Sequence, residues 1–227
     1  MRGILAWVAL LLAAGLLRPG EAQVTDPALA AATPVEQVAA RTLNLLDYGA
    51  DPTGVADSSA AFERLMADVG DRRQVQILLP AGRFRLSHRV TLTASGNQTN
   101  YGVILSGAGE DVTELVVDNP EGGLLFRGVN LNRLSVTVRD LSLVALQPDC
   151  GTALEFDIPN PGDHHSRQFN AENLLIRGER FDQGAFRRGV VVRNAWYPRL
   201  QNVKVTTPYG PTQKDKPGVT EHAFYLE

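Results

Sequence analysis

The feature of this chain that most limits its fold is a loose internal repeat of short strands. One strand type opens with glycine: Gly123-Leu124-Leu125-Phe126, then Gly151-Thr152-Ala153-Leu154-Glu155-Phe156, then Gly189-Val190-Val191-Val192. A second type carries Asp or Asn just before alternating apolar residues: Asp140-Leu141-Ser142-Leu143, Asn173-Leu174-Leu175-Ile176 and Asn202-Val203-Lys204-Val205. The two types alternate strictly, three times. Steps between the glycines are 28 and 38 residues, and steps between the Asp and Asn positions are 33 and 29. Constant short strands at variable spacing fit a solenoid whose loops differ from coil to coil. Asp and Asn tolerate the left-handed backbone of a sharp corner. Alternation such as Leu141/Leu143 and Val203/Val205 points one side of each strand into the coil.

Other architectures fit less well. A β-sandwich would join its strands by tight hairpins, and the chain has no Asn-Gly or Asp-Gly pair. Helical periodicity is scarce after Val69, which argues against strands separated by helices. Ser106-Gly107-Ala108-Gly109 follows a strand, as a phosphate-binding loop would. Such a loop needs a helix behind it, and here Leu115-Val116-Val117 follows instead, so the glycines read as a corner between strands.

Upstream of the repeat, Leu43 to Leu46 is a short strand-like run and Asp47 to Gly54 is turn chemistry. Asp57 is placed to cap a helix. Phe62, Leu65, Met66 and Val69 then form one apolar stripe at i, i+3, i+4 and i+7. The wording Asp-Tyr-Gly-Ala-Asp-Pro-Thr-Gly-Val-Ala-Asp-Ser-Ser-Ala-Ala-Phe, residues 47–62, resembles the opening motif of pectate-lyase-like proteins of the rhamnogalacturonase/epimerase type. Leu79-Pro80-Ala81-Gly82-Arg83-Phe84-Arg85-Leu86 resembles their first coil. The resemblance implies an all-β fold: a right-handed, single-stranded parallel β-helix whose open N-terminal end is covered by the Asp57–Val69 helix. Ala223-Phe224-Tyr225-Leu226-Glu227 starts another strand of the first type, so residues 43–227 are expected to be an incomplete β-helix domain, the N-terminal portion of a longer protein.

Met1 to Ala22 looks like a secretory signal, with Arg2 before a 14-residue apolar run, Ile4 to Leu17, that is too short for an ordinary membrane span. Cleavage before Gln23 would leave residues 23–42 as an Ala- and Pro-containing arm. The expected location is secreted or periplasmic, with no membrane association after signal cleavage. A net charge of −3 gives no basic footprint for nucleic acid. The single cysteine, Cys150, cannot form an intrachain disulfide and reads as a small buried hydrophobe.

The resemblance further implies a polysaccharide partner, held in a groove along one parallel sheet, and hydrolase, lyase or epimerase chemistry. The basic run below points to a uronate-containing polymer. No catalytic residue can be carried over. The Asn-Thr-Asp, Asp-Asp, Gly-His-Gly and Arg-Ile-Lys motifs of polygalacturonase relatives and the Asp-Pro-His of epimerase relatives are absent. No cofactor is expected, except calcium if the chemistry is of lyase type. The best local candidate is the insertion Asp157 to Arg167, which holds Asp157, Asp163, His164, His165 and Arg167. A carboxylate beside a histidine can do acid–base work, and arginine can clamp a uronate carboxylate. The alternative reading of the same residues is a solvated polar loop. Adjacent histidines on an extended strand point to opposite sides, so no metal is assigned. Arg177, Arg180, Arg187, Arg188 and Arg193 form a basic run, either a polyanion surface or a solvated face with local ion pairs to Glu179 and Asp182. Trp196 and Tyr197 could stack on a sugar ring or pack a loop. The sequence leaves two function classes: a secreted carbohydrate-active enzyme, or a non-catalytic β-helix such as an adhesin or polysaccharide-binding fibre.

Overall fold

A computed structural model describes residues 41–69, 74–95, 101–129, 133–159, 166–180, 183–206 and 220–227. Its strands are β1 (Arg41–Asn44), β2 (Thr53–Asp57), β3 (Gln74–Leu78), β4 (Gly82–Leu86), β5 (Val90–Ser95), β6 (Tyr101–Ser106) and β7 (Thr113–Val117), with helix α1 (Ser59–Val69) between β2 and β3. They continue as β8 (Gly122–Val129), β9 (Arg133–Ala145), β10 (Thr152–Asp157), β11 (Ser166–Gly178), β12 (Arg188–Arg193), β13 (Tyr197–Val205) and β14 (His222–Leu226).

Every pairing between these strands is parallel, and each strand pairs with the equivalent strand of the next coil. This is the parallel β-helix, and it removes the sandwich alternative. The coil has three faces. The first joins β1, β3, β6 and the leading parts of β9, β11 and β13. The second joins β2, β4, β7 and the trailing parts of the same three long strands. The third is a five-stranded sheet in the order β14-β12-β10-β8-β5.

The long strands bend where the sequence places Asp or Asn. Asp140, Asn173 and Asn202 have φ of 60°, 51° and 51°, the left-handed corner expected of them. Their side chains also stack: Asn173 Nδ2 donates to Asp140 Oδ1 at 2.9 Å, and Asn202 Nδ2 donates to Asn173 Oδ1 at 3.0 Å. Two of the three glycines that open the other strand type, Gly123 and Gly189, are register equivalents with a steric cause, whereas Ala153 holds that position in β10 and Gly151 stands two residues before it. A Cβ at Gly123 would lie 2.5 Å from the Ala153 carbonyl oxygen and 3.1 Å from Leu143 Cδ2. At Gly189 it would lie 2.5 Å from the Ala223 carbonyl oxygen and 3.0 Å from Val205 Cγ2. The third face turns in against second-face side chains at these points, and only a bare backbone fits.

Three expectations are corrected. The repeat has three strands per coil, not two: residues 133–139, 166–172 and 197–201 form first-face strands that run straight into the Asp/Asn corner. Strand β1 stops at Asn44, whose Oδ1 accepts from Leu46 N–H at 3.0 Å, and Leu45–Tyr48 is a 3-10 turn. The helix begins one residue later than an Asp57 cap requires, with Ser58 directly before it. Asp57 still serves the helix, since its Oδ1 accepts from Ser59 N–H at 3.1 Å and Ser59 Oγ at 2.7 Å. It also ties the helix to the coil, accepting from Ser87 N–H at 3.1 Å and Ser87 Oγ at 2.7 Å. Partial burial works against ionisation here, but the hydrogen bonds from Ser87 and Ser59 outweigh it and hold the carboxyl down at about 2.

The core runs through the coil. Phe84, Phe126, Phe156 and Phe169 are fully buried, and Phe156 stacks on Phe169 with centroids 5.1 Å apart. Phe62, Leu65 and Val69 of α1 join the same cluster at 0% exposure. Each such burial contributes roughly 1.5–3 kcal/mol, which makes α1 the cover of the first coil. Cys150 is buried, its thiol lies 3.3 Å from the Val117 carbonyl oxygen, and burial pushes its pKa up, as suits an inert core residue.

Candidate functional site

Strand alternation decides which side chains the third face shows to the outside. Leu124, Phe126, Leu154, Phe156, Val190 and Val192 point in and are buried. The positions between them point out. One outward row runs Thr91, Leu125, Glu155, Val191 and Tyr225, and the next runs Thr93, Arg127, Asp157 and Arg193. A neighbouring residue, Arg89, stands just before β5.

These side chains form one charged mosaic. Arg89 reaches from the β5 level across β8 to Glu155 Oε2, and Arg193 comes from β12 to Glu155 Oε1. Glu155 is thus held from both directions along the stack. Beside it, Arg127 pairs with Asp157 at 3.3 Å, and Arg193 Nε donates to Glu227 Oε2 at 3.0 Å. The Arg193 guanidinium also sits 5.9 Å from the Tyr225 ring centroid, within cation–π range. Burial pushes the Arg89 pKa below its ordinary value. Glu121 and Asp157 act to raise it, and the like charges of Arg127 and Arg193 act to lower it. The Arg89 Nε is buried without a hydrogen-bond partner. Solvent still reaches this surface, since the Arg127 side chain is 47% exposed.

The structure brings together some of the residues singled out from sequence and separates others. Asp157 and Arg193 are register partners on the third face. Arg177 lies on the second face, where it pairs with Glu114 at 2.5 Å and Asp111 at 3.6 Å. Arg83 completes that second cluster, pairing with Glu114 at 3.1 Å and Glu179 at 2.7 Å. Trp196 and Tyr197 stand at the turn into β13, 50% and 64% exposed, in an edge-to-face contact at 6.5 Å. Asp163, His164 and His165 lie outside the described residues. Arg167 belongs to β11, and its side chain is likewise outside the description.

Of the two acidic residues within the basic run, Asp182 lies outside the described residues, and Arg177, Arg187, Arg188 and Arg193 find their acidic partners on other coils. Arg187 pairs with Asp149 and Arg188 with Glu221, each across neighbouring coils, and Glu179 pairs with Arg83 from three rungs away. Lateral stacking of rungs sets the partners, so residues close in sequence are not the ones that meet. Sequence reasoning missed Arg89, Arg127 and Glu155. Aligning the third-face strands in their structural register would have found one of them, Arg127, because Arg127, Asp157 and Arg193 occupy the same position in successive rungs.

Among the described residues no group of three or more His, Cys, Asp or Glu side chains could hold a metal ion. Calcium, which lyase-type chemistry would add, does not fit Glu155 and Asp157. Both carboxylates already face guanidiniums, whose charge opposes a cation. Among the described residues no helix is long and apolar enough to cross a membrane.

Comparison with known proteins bears on the fold and family. A family model described as rhamnogalacturonase A/epimerase, pectate lyase-like, matches residues 42–135. Both motifs that resemble this superfamily lie within that segment, and the pectate-lyase-like resemblance is shown there. No curated protein matches the chain significantly. Among solved structures, ORF18 of Geobacillus virus E2 is similar at 10% identity and a TM-score of 0.32, over 72% of this chain. The chain spans 40% of the length of that protein.

Proposed function

We propose that this chain is a secreted polysaccharide-binding β-helix that holds a uronate-containing polymer along the outer side of its third face. The pectate lyase-like match supports a protein that acts on polysaccharide in general. The observation that carries the finer reading is the set of guanidiniums from Arg89, Arg127 and Arg193, displayed along one parallel sheet at the β5, β8 and β12 rungs. Rungs repeat every ~4.8 Å, so the display is linear, as a polymer with regularly repeated carboxylates requires. Arginine suits that ligand because its planar fork matches a carboxylate. Tyr225 adds an aromatic surface next to Arg193.

A second reading, hydrolase, lyase or epimerase chemistry on the same polymer, draws support from chain connectivity. The segment holding Asp163, His164 and His165 follows the third-face strand β10 in sequence. Within this chain that segment supplies the acid–base candidates of this reading, since the described carboxylates of the face are engaged by arginines.

Both readings meet one experiment. The purified chain is titrated with polygalacturonate, pectin, alginate and a neutral glucan at several salt concentrations. Reducing ends, absorbance of unsaturated uronates and epimer ratio are followed in parallel. The expected result is binding to the uronate polymers alone, weakening with salt because charges are screened over ~10 Å at 0.1 M, and no turnover. Turnover lost in Asp163→Asn or His165→Ala would establish the enzymatic reading. Equal binding to the neutral glucan would overturn the uronate reading.

A further inference from the structure

We propose that Arg89 and Arg193 form a specific binding fork for one uronate carboxylate, and that Glu155 is its built-in occupant, displaced when the polymer binds. The inference rests on the polysaccharide reading above and names the contact at its centre.

Three observations lead to it. First, the fork is already shaped for a carboxylate, because it holds one: Arg89 takes Glu155 Oε2 and Arg193 takes Glu155 Oε1. Two guanidiniums that start from β5 and β12 and converge on one carboxylate give any other carboxylate there the same donors. Second, Glu155 is an incomplete occupant. It engages Arg89 through Nη2 only, and Arg89 Nε is left buried with no hydrogen-bond partner. A buried unpaired donor is costly, and the strong arrangement of an arginine with a carboxylate is bidentate. Glu155 is fixed to β10 by its own backbone. A ligand carboxylate carries no such tether and can turn to meet both Nε and Nη2. Third, the surroundings suit a sugar. Tyr225 lies under the Arg193 guanidinium, and Arg127 stands beside Asp157 in the adjoining row. Once released, Glu155 lies one outward step along β10 from Asp157, at the edge of the Arg127 pair.

The consequence is a competition. In the free protein Glu155 neutralises the fork, so the third face carries arginines without binding every passing anion. A polymer wins by offering a better-oriented carboxylate together with contacts to Arg127 and Tyr225.

The test uses the full chain, titrated by calorimetry with a galacturonate trimer and, separately, with inorganic phosphate. Glu155→Gln keeps the shape but removes the competing charge. A charged acceptor on arginine is worth more than a neutral one, so the trimer should bind the variant roughly five- to tenfold more tightly than the wild type. The trimer should also raise the melting temperature of the variant more than that of the wild type, because a ligand that binds only the folded state stabilises it. Adding Arg89→Gln should abolish the gain. If Glu155→Gln does not fold, Glu155→Asp takes its place. It is one methylene too short to bridge both arginines, and a smaller gain is expected.

Unchanged or weaker trimer binding in a folded variant overturns the fork. Failure of every form to bind trimer, with tighter phosphate binding in Glu155→Gln, keeps the fork and sinks the polysaccharide reading. Trimer binding by wild type with no gain for either probe sinks the fork and keeps the polysaccharide reading. No binding of either probe by any form sinks both.

Discussion

Replacing Asn173 tests whether the corner residues are chosen for their backbone or for their side chains. Asn173 does two things. It holds φ at 51°, and its amide is the middle link of a chain from Asn202 to Asp140, with hydrogen bonds of 3.0 Å and 2.9 Å. Asn173→Ala loses both. Each bond is solvent-exposed, so about 0.5 kcal/mol apiece is appropriate, the low end of the usual range. Alanine in a left-handed backbone adds roughly 1–2 kcal/mol. The expected loss is therefore about 2–3 kcal/mol, a large share of a typical stability of ~5–15 kcal/mol. Asn173→Gly also loses the amide, but it adopts positive φ freely. Its only further cost is the greater freedom of the unfolded chain, roughly 0.5–1 kcal/mol. The glycine variant should thus be about 1 kcal/mol more stable than the alanine variant. Urea unfolding followed by far-ultraviolet circular dichroism measures both, provided the slope is unchanged and only the midpoint moves. An alanine variant as stable as the glycine variant would refute the claim that the left-handed corner selects Asn.

Phe62→Asp places a charge against the first coil at a side chain with 0% exposure. Burying an unpaired charge costs several kcal/mol, so insoluble or unfolded protein is expected, and a soluble variant with an unchanged melting curve would remove the capping role of α1. Gly123→Val should fail to fold, because even its Cβ lies 2.5 Å from the Ala153 carbonyl oxygen; recovery of soluble protein with a cooperative melt would show that the third face can move away. The depressed pKa of Asp57, about 2 against an ordinary 3.8, contributes stability that is complete above 3.8 and is lost as pH falls through about 2. Melting temperature should therefore drop over that interval, with a smaller drop in Asp57→Asn, and parallel curves would contradict it.

Much of the fold was legible because its constraints are local. Asp140, Asn173 and Asn202 mark corners through backbone tolerance, and Gly123 and Gly189 mark a close approach. Both signals survive without knowledge of neighbours. The first-face strands were harder. Residues 133–139 alternate Leu134, Val136 and Val138, but 166–172 offer only Phe169 and Ala171 as inward apolar residues, and 197–201 include Pro198. The repeat therefore fades in later coils. Strand β2 overlaps the Asp47–Gly54 turn reading at Thr53 and Gly54, and the almost wholly exposed run Thr53–Asp57 has no apolar alternation to mark a strand. Its shape comes from Asp51, whose carboxylate accepts from Thr53 N–H at 2.9 Å and Ala56 N–H at 2.7 Å.

The site was less legible, for a geometric reason. In a parallel coil the partners of a side chain come from other rungs, each rung adding about thirty residues in a chain like this one, and long side chains here reach two or three rungs. Arg89 and Glu155 are 66 residues apart, and Arg83 and Glu179 are 96 apart. Grouping charged residues by sequence proximity therefore united Arg177 with Arg193, which the fold puts on different faces. It also left Arg127 unread beside Asp157.

The most direct measurement is calorimetric titration of a galacturonate oligomer into two matched variants, Arg127→Ser on the third face and Arg83→Ser on the second. Arg127 and Arg83 have similar side-chain exposure, 47% and 41%, and each pairs with carboxylates. The account predicts that Arg127→Ser weakens binding severalfold and flattens its salt dependence, while Arg83→Ser binds as the wild type does. Loss of binding in Arg83→Ser with Arg127→Ser unaffected would place the polymer on the second face and contradict the account.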